Sequence, residues 1–283
     1  MTDLTLTVVG LGLIGGSVAR SLRGKVKRIY AIDRDESVIA FASEQGVIDT
    51  PNGDPIPQSD VVMLCIYPDA AVEFVKSNIG SFKKGAILTD AVGIKTPLMN
   101  LYESLCDADF TYIGGHPMAG REVSGFINSL DNMFEGANFI ITPPDGAPRE
   151  KIAIIRRLAE TMGCGMVIET TVENHDRVIA YTSQLPHAIA TAMCDTPLLV
   201  KHKNYTGGSF EDVTRVAKIN ESLWSELFIS NGEFLIEEIE HFCASLDSIK
   251  NAVKAGDKNG LEEIMRKVRL DKEMIDNGQN SVR

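Results

Sequence analysis

The stretch TLTVVGLGLIGGSVARSLRG, residues 5–24, joins an apolar run, a glycine-rich turn and a helical pattern. A GxGxxG pattern that follows a strand and opens a helix is the fingerprint of a dinucleotide-binding βα turn. Its first glycine permits the tight turn, its second lets the backbone approach a pyrophosphate, and its third lets the helix pack close to the strand. The helix N-terminus then directs its N–H groups at the phosphates. The predicted cofactor-binding residues of this turn are Gly10, Leu11, Gly12, Leu13, Ile14 and Gly15.

An acidic residue ends the next predicted strand, RIYAID (28–33). Asp33 lies close to the ~20-residue spacing that the fingerprint requires. A carboxylate there accepts hydrogen bonds from the ribose 2′-hydroxyl and repels a 2′-phosphate, which favours NAD over NADP. Arg34 complicates this preference, because a guanidinium beside that position can pair with a 2′-phosphate. A turn without a ligand and a solvated strand end are the structural alternatives for the glycines and for Asp33.

Short apolar runs alternate with helix-length segments in the first part of the chain. The predicted strands are 5–10, 28–33, 61–66, 86–91, 111–116, 137–142 and 165–170. Continuous apolar runs of this length are typical of a parallel sheet with both faces covered. Beyond Thr171 we find helical periodicity only, to about Asp276. The sequence therefore predicts an α/β protein, with a Rossmann-type doubly wound sheet over 1–170 followed by an all-helical domain over 171–283.

Composition restricts the possible partners. The chain of 283 residues carries 28 basic and 39 acidic residues, a net charge of −11. Affinity for nucleic acid comes from neutralising phosphates, so this balance argues against a nucleic-acid partner. The apolar runs are far shorter than the ~18 residues of a membrane helix, so we expect no membrane association. The five cysteines are scattered without a CxxC pair. This pattern favours reduced thiols in the cytoplasm, and we predict no metal site.

The fifth predicted strand ends in GGHPMAGRE (114–122). A histidine between glycines and a proline is displayed at the strand's carboxyl end, where open α/β sheets bind their ligands. Its ordinary pKa of ~6.5 suits a general base near neutral pH. We therefore predict that His116 is catalytic, with a turn histidine bonded to the backbone as the alternative.

A first polar group lies at the start of the helical region. Asp176, Ser183 and His187 are spaced i, i+7, i+11, which places them on one helix face. Pro186 should kink this helix and free a carbonyl. Taken alone, His187 on an apolar helix is also compatible with a histidine satisfied inside the core.

A second polar group surrounds Arg215, which lies in a strongly apolar, amphipathic stretch. An arginine buried there must find an anion, because a buried unpaired charge is very costly. That anion is either a substrate carboxylate or a structural carboxylate such as Glu122 or Asp212. The sequence alone leaves both open.

Five segments, in order along nearly the whole chain, resemble those of the prephenate/arogenate dehydrogenases of tyrosine biosynthesis. They are GLGLIGGS (10–17), the segment 90–95, GGHPMAGRE (114–122), HDRVIAYTSQLPH (175–187) and EDVTRVAKINESLW (211–224). The combination of GGHPMAG with SxLPH is specific, whereas the glycine turn is shared with nicotinamide enzymes at large.

The resemblance implies the NAD-dependent oxidative decarboxylation of prephenate, a small anionic substrate. It implies that His116 bonds to the ring hydroxyl, that Arg215 holds a substrate carboxylate, and that His187 shares the pocket. The predicted substrate-binding residues are Arg215, His187, Ser183, Glu122 and Trp224. The family also forms dimers through its helical domain. The apolar excess of segment 223–242 independently favours such a homodimer.

Two departures from the family's pattern concern the pocket, and a third lies in the SxLPH segment. Gly93 stands where the family often has serine, and Ile219-Asn220 stands where it often has a Ser-Asp pair. Gln184 replaces the first histidine of the usual SHLPH. The first two changes remove polar contacts, so the choice between prephenate and arogenate stays open.

Two alternative hypotheses assign the chain to a different class of protein. A Rossmann plus helical-domain enzyme for another hydroxyacid or imine would call for a catalytic lysine on the helical domain in place of a displayed histidine. A non-catalytic NAD-binding protein would need neither a displayed histidine nor a pocket arginine.

Overall fold

A five-stranded parallel sheet forms the first part of the chain. The computed structural model describes residues 1–105, 108–201 and 203–276. The strands are β1 Thr5–Val9, β2 Arg28–Ile32, β3 Val61–Leu64, β4 Ala86–Asp90 and β5 Phe110–Tyr112, in the order β2-β1-β3-β4-β5. The strand order reverses between β1 and β3, and open α/β sheets bind ligands beyond the strand ends at such a switch point.

Helices cover both faces of this sheet. They are α1 Leu13–Leu22, α2 Glu36–Glu44, α3 Pro68–Asn78 and α4 Thr96–Glu103. On one face, Leu6 of β1 belongs to the same apolar cluster as Val18 of α1. On the other face, Val62 of β3 belongs to the same cluster as Val75 of α3 and Leu98 of α4. The predicted doubly wound arrangement is confirmed.

A second sheet of three strands corrects the expectation of one parallel sheet. It contains β6 Gly114–Pro117, β7 Asn138–Thr142 and β8 Met166–Glu169, with β6 antiparallel and β8 parallel to β7. The predicted strand 111–116 is thus divided between the two sheets. A Cβ on Gly115 would lie 2.7 Å from the Asp90 carbonyl oxygen, and one on Gly114 would overlap Thr142 Oγ1. The glycine pair lets the chain pass the end of β4 and join β7. Helix α5 Arg149–Met162 precedes β8.

Helices follow from residue 172 onward, and the described residues there contain no strand. They are α6 Val172–Ile179, α7 Leu185–Cys194, α8 Pro197–Lys201, α9 Gly208–Thr214 and α10 Glu221–Ser230. A π turn, Ala180–Gln184, joins α6 to α7, and Pro186 lies in the first turn of α7. The interruption predicted at Pro186 is therefore a local widening of the helix, a form often found at functional sites.

Backbone contacts divide the chain into two compact units, Met1–Gly232 and Glu233–Arg283. The first holds both sheets and the helices up to α10. The second holds nearly all of α11 Gly232–Ala255 and, after it, α12 Lys258–Asp276. A domain boundary at residue 170 stays a prediction. Among the described helices, none is both long enough and apolar enough to cross a membrane.

Candidate active site

The glycine turn joins β1 to α1 at the switch point of the sheet. Gly10 has a φ of +90°, and a Cβ on it would lie 2.7 Å from the Cys65 carbonyl oxygen. A Cβ on Gly15 would overlap the Gly10 carbonyl oxygen. By contrast, a Cβ on Gly12 would meet nothing within 4 Å among the described residues, and none of their side chains caps α1. The turn therefore fits a pyrophosphate, which an uncapped helix N-terminus stabilises.

Asp33 lies at this turn, as the fingerprint requires. Its carboxylate accepts hydrogen bonds from Leu11 N at 2.7 Å and from Asp35 N at 2.9 Å. A carboxylate has about four acceptor positions, so capacity remains for a ribose hydroxyl. Leu13 is buried and Ile14 half-buried, and Arg34 is exposed beside Asp33.

His116 lies on β6 and is the first member of a chain of three hydrogen-bonded side chains. Its Nδ1 lies 2.9 Å from Nε2 of His175, and Nδ1 of His175 lies 2.6 Å from Oδ1 of Asp176. Oδ1 also accepts from Lys95 N at 2.9 Å, and Oδ2 accepts from the backbone N and the Oγ1 of Thr96. His175 and Asp176 belong to α6 and are each 1% exposed. Of these groups, sequence reasoning had assigned only His116 to the chemistry.

The pKa shifts in this series of hydrogen-bonded side chains favour neutral rings on His116 and His175 and an ionised carboxylate on Asp176. Burial lowers the pKa of His116 well below its ordinary value of 6.5, and the Lys95 ammonium adds to the effect. Burial also lowers the pKa of His175, although the hydrogen bond to Asp176 opposes it. Burial by itself would raise the pKa of Asp176, but hydrogen bonds from His175 and Thr96 hold it below its usual value. His116 is therefore available as a base at neutral pH.

A buried ion pair holds the backbone just before His116. The side chains of Lys95 and Asp90 are in contact and have no exposed surface. Lys95 Nζ also donates to the Gly115 carbonyl at 2.6 Å, while Asp90 Oδ1 accepts from Gly115 N at 3.1 Å and from Tyr112 OH at 3.0 Å. Both backbone groups of Gly115 are thus fixed. Sequence reasoning missed this clamp, although an acid at a strand end with a lysine five residues later was a visible signal.

Four of the predicted substrate residues form a second group. The rings of His187 and Trp224 are stacked at 3.6 Å between centroids. Nδ1 of His187 lies 2.8 Å from the Ser183 carbonyl oxygen. Burial lowers the pKa of His187, and the Arg215 charge acts in the same direction, which places Arg215 in its neighbourhood.

The expectation that Arg215 is buried in an apolar helix is wrong. It lies in the 3₁₀ turn Arg215–Ala217 after α9, and its side chain is 65% exposed. The guanidinium contacts the carboxylate of Glu122, the alternative partner considered from the sequence. Solvent screens the attraction between two charges this exposed, so the pair is weak. Either group can therefore exchange its partner.

Asp176 does not join Ser183 and His187 as the helical spacing predicted. It is buried against Lys95 and Thr96, whereas Ser183 and His187 are half-buried. The π turn between them inserts a residue into the helical repeat, so spacing along an ideal helix no longer predicts a common face.

The departures from the family's pattern have structural counterparts. A Cβ on Gly93 would lie 3.1 Å from a methyl group of Leu227. Gln184 is buried and donates to the Leu227 carbonyl at 2.8 Å, so it serves packing. Asn220 caps α10 by accepting from Leu223 N at 3.0 Å.

The fold and these groups together define a Rossmann-type dehydrogenase with a helical second part. Among the described residues, no cluster of three or more His, Cys, Asp or Glu side chains could hold a metal ion. The family model for the nucleotide-binding domain of prephenate dehydrogenase matches residues 18–168, and that for its dimerization domain matches residues 171–267. The chain therefore belongs to the prephenate dehydrogenase family.

Individual relatives agree with this assignment. The chain is 29% identical over 271 residues to a prephenate dehydrogenase of Lactococcus lactis, covering 91% of this chain and 73% of that protein. It is 30% identical over 275 residues to a cyclohexadienyl dehydrogenase of Zymomonas mobilis, covering 91% of each. A crystal structure of prephenate dehydrogenase from A. aeolicus in complex with hydroxyphenyl propionate and NAD+ is 32% identical, with a TM-score of 0.86 over 97% of this chain and 99% of that one. A Synechocystis arogenate dehydrogenase, at 24% identity and a TM-score of 0.80 over 96% of this chain and 100% of that one, shares the fold.

Proposed function

We propose that this protein is a prephenate dehydrogenase, which uses NAD to convert prephenate to 4-hydroxyphenylpyruvate and CO2 in tyrosine biosynthesis. Family membership and the NAD+ complex of the A. aeolicus relative support the reaction and the cofactor. The observation that carries the proposal is the neutral, half-buried His116 on β6, where the preceding Gly115 is hydrogen-bonded to Asp90 at the carboxyl end of β4. A base at this edge of the sheet lies where Rossmann-type folds place their chemistry.

The chain's own residues bind the cofactor and move one proton. The uncapped start of α1 and the open space at Gly12 hold the pyrophosphate, and Asp33 accepts from the ribose. NAD, when bound, accepts the hydrogen of ring C4 as hydride. His116 takes the proton of the C4 hydroxyl as that hydride departs.

The balance of the reaction gives His116 a second role. When the ring carboxylate departs as CO2, the electron pair of the broken C–C bond stays in the ring and produces a phenolate. The phenolate takes back the proton that His116 removed, so the reaction releases no net proton. His116 acts first as base and then as acid, and the gain in aromaticity drives the step.

Arg215 is the proposed anchor for a substrate carboxylate. Prephenate carries two carboxylates and the protein has a net charge of −11, so a local cation is needed to hold the substrate. The exposed pair with Glu122 is worth only ~0–1 kcal/mol, and a substrate carboxylate can replace Glu122 at small cost. His187, Ser183 and Trp224 line the same region.

Arogenate is the alternative substrate, since it carries the same ring with an amino-acid side chain. Initial rates of NADH formation with prephenate, arogenate and a panel of β-hydroxyacids test the proposal. We expect the highest kcat/KM with prephenate. A higher value with arogenate would change the substrate and keep the chemistry, whereas oxidation of a β-hydroxyacid alone would reject both.

A homodimer built through the helical region is the proposed assembly. A dimerization-domain model matches residues 171–267. Within the second compact unit, α11 and α12 expose apolar side chains that a partner subunit would cover. They include Ile236, Leu246, Val253, Met265, Val268 and Ile275. The cytoplasmic location inferred from the scattered cysteines stays a prediction.

A further inference from the structure

We propose that His175 and Asp176 are positioning residues that fix which nitrogen of His116 carries its proton, leaving the Nε2 lone pair for the substrate. The proposal rests on His116 being the base of the proposed reaction. It assigns a role to His175, which contacts His116 only in the folded chain, and to Asp176, which contacts His175.

The carboxylate of Asp176 is fully engaged in hydrogen bonds. It accepts from Lys95 N, from the backbone N and hydroxyl of Thr96, and from Nδ1 of His175. An ionised carboxylate can only accept hydrogen bonds. The Nδ1 atom of His175 must therefore carry a proton and donate it.

The protonation of the two rings follows in sequence. A neutral imidazole has one N–H, so a proton on Nδ1 leaves Nε2 of His175 as an acceptor. The hydrogen bond of 2.9 Å between this atom and Nδ1 of His116 then requires His116 to be the donor. Nε2 of His116 is left with its lone pair. Because Nδ1 is occupied by His175, Nε2 is also the nitrogen that a ligand can reach.

His175 and Asp176 also stabilise the positive charge that the reaction creates on His116. When His116 takes the hydroxyl proton, it becomes an imidazolium whose Nδ1–H points through His175 towards an anionic carboxylate. The imidazole of His175 is polarised by Asp176, because its Nδ1–H donates to that carboxylate. Its Nε2 is therefore a stronger acceptor for the Nδ1–H of His116. No path from His175 to solvent is needed, since the proton returns to the phenolate. His175 and Asp176 are each only 1% exposed. This burial agrees with a pair of residues that exchanges no proton with solvent.

The expected size of the effect comes from enzymes in which an aspartate sets the tautomer of a catalytic histidine directly, where disrupting that contact costs ~10⁴ in kcat. Here the aspartate acts through an intervening ring. We therefore expect a smaller loss, about 10- to 100-fold in kcat, when the contact to His116 is removed.

Kinetics of matched variants test this role. His175→Leu removes the acceptor and should lower kcat, with little change in the Kd for NAD. His175→Gln keeps an acceptor near the ε position and should recover part of the loss. Ser59→Ala is the control, because Ser59 is fully buried at the amino end of β3, the opposite end of the sheet from His116, and bonds to Thr7. It should lower the melting temperature and leave kcat and its pH profile unchanged.

A double-variant cycle separates positioning from general damage. If His175 acts through His116, then His116→Asn combined with His175→Leu should be no slower than His116→Asn alone. Losses that multiply in the double variant, or a His175→Leu enzyme with normal kcat, would overturn the proposal. A His116→Asn enzyme with near-normal kcat would instead reject His116 as the base, which is a failure of the proposed function.

Nitrogen-15 NMR of the histidine side chains shows which ring nitrogens carry protons in the wild-type protein. The measurement needs no turnover, and its result does not depend on the stability of a variant. The rings are assigned by single His→Gln variants. At neutral pH we expect both His116 and His175 to be neutral and protonated at Nδ1. A proton on Nε2 of His116 would contradict the proposal whatever the kinetics show.

Discussion

At the scale of single residues, the proposed reaction depends most on His116. Replacing it with Asn removes the proton acceptor and should lower kcat by ~10²-fold or more, the usual value of a positioned base. NAD affinity should stay close to normal, because the cofactor turn lies between β1 and α1 and His116 lies on β6. A variant with near-normal kcat would show that His116 has only a structural role.

The pH profile of the wild-type enzyme reports on the same residue. A base works in its deprotonated form, and burial lowers the pKa of His116 well below 6.5. We therefore expect kcat/KM to stay level as pH falls through 6.5 and to decline only at lower pH. An acid limb centred above 6.5 in kcat/KM would show that His116 is not the group that titrates.

Asp33 decides the choice of cofactor in this account. Asp33→Ser removes the repulsion of a 2′-phosphate and should raise kcat/KM for NADP relative to NAD. It also removes the acceptor of the bond from Leu11 N, so KM for NAD should rise. Steady-state kinetics with both cofactors measure these changes. A wild-type preference for NADP would show that Arg34 dominates.

Substitutions of Arg215 test whether this residue binds a substrate carboxylate. Its exposed pair with Glu122 contributes little to folding, so Arg215→Ala should cost at most ~1 kcal/mol of stability. KM for prephenate should rise roughly ten- to hundredfold, as expected from losing a charge-assisted contact of ~1.5–3 kcal/mol. Arg215→Lys should recover part of the loss, because a point charge cannot reproduce the guanidinium fork. A large drop in melting temperature with unchanged KM would mean that Arg215 is structural.

At the scale of elements, the clamp between Lys95 and Asp90 ties β4 to Tyr112 of β5 and to Gly115 of β6. Lys95→Met would leave a buried carboxylate without its cation and should destabilise the protein by ~3–5 kcal/mol. Adding Asp90→Asn should restore part of that stability, because the uncompensated charge is removed. Urea denaturation of the two variants measures the difference. Equal stability of Lys95→Met and wild type would show that the pair is dispensable.

The sequence predicted the elements that local rules determine. The turn from β1 through α1 to β2, with Asp33 at its end, depends on neighbouring residues, and the structure shows the turn and Asp33 in place. The division between β5 and β6 was not predicted, because the crowding at Gly114 and Gly115 comes from β4 and β7, which are distant in the chain.

The same distinction applies to the candidate site. The position of His116 near the carboxyl end of β4 followed from its local motif. Its contact with His175 spans 59 residues, and the exposure of Arg215 depends on how a 3₁₀ turn packs. Periodicity assumed an ideal helix from residue 176 to 187 and could not anticipate the π turn that separates Asp176 from His187.

At the scale of the whole molecule, the helical region should pair two chains. A homodimer would cover the apolar side chains that α11 and α12 expose. Light scattering at micromolar concentration should give twice the 30.8 kDa mass of one chain. A monomer mass under those conditions would contradict the proposed assembly.

The most direct test of the central claim is the product analysis of a single reaction, in which the purified protein is mixed with prephenate and NAD. We predict that NADH, 4-hydroxyphenylpyruvate and CO2 form in equal amounts, and that His116→Asn slows the formation of all three together. The absence of NADH with prephenate, from a folded protein that binds NAD, would contradict the assignment of this chain as a prephenate dehydrogenase.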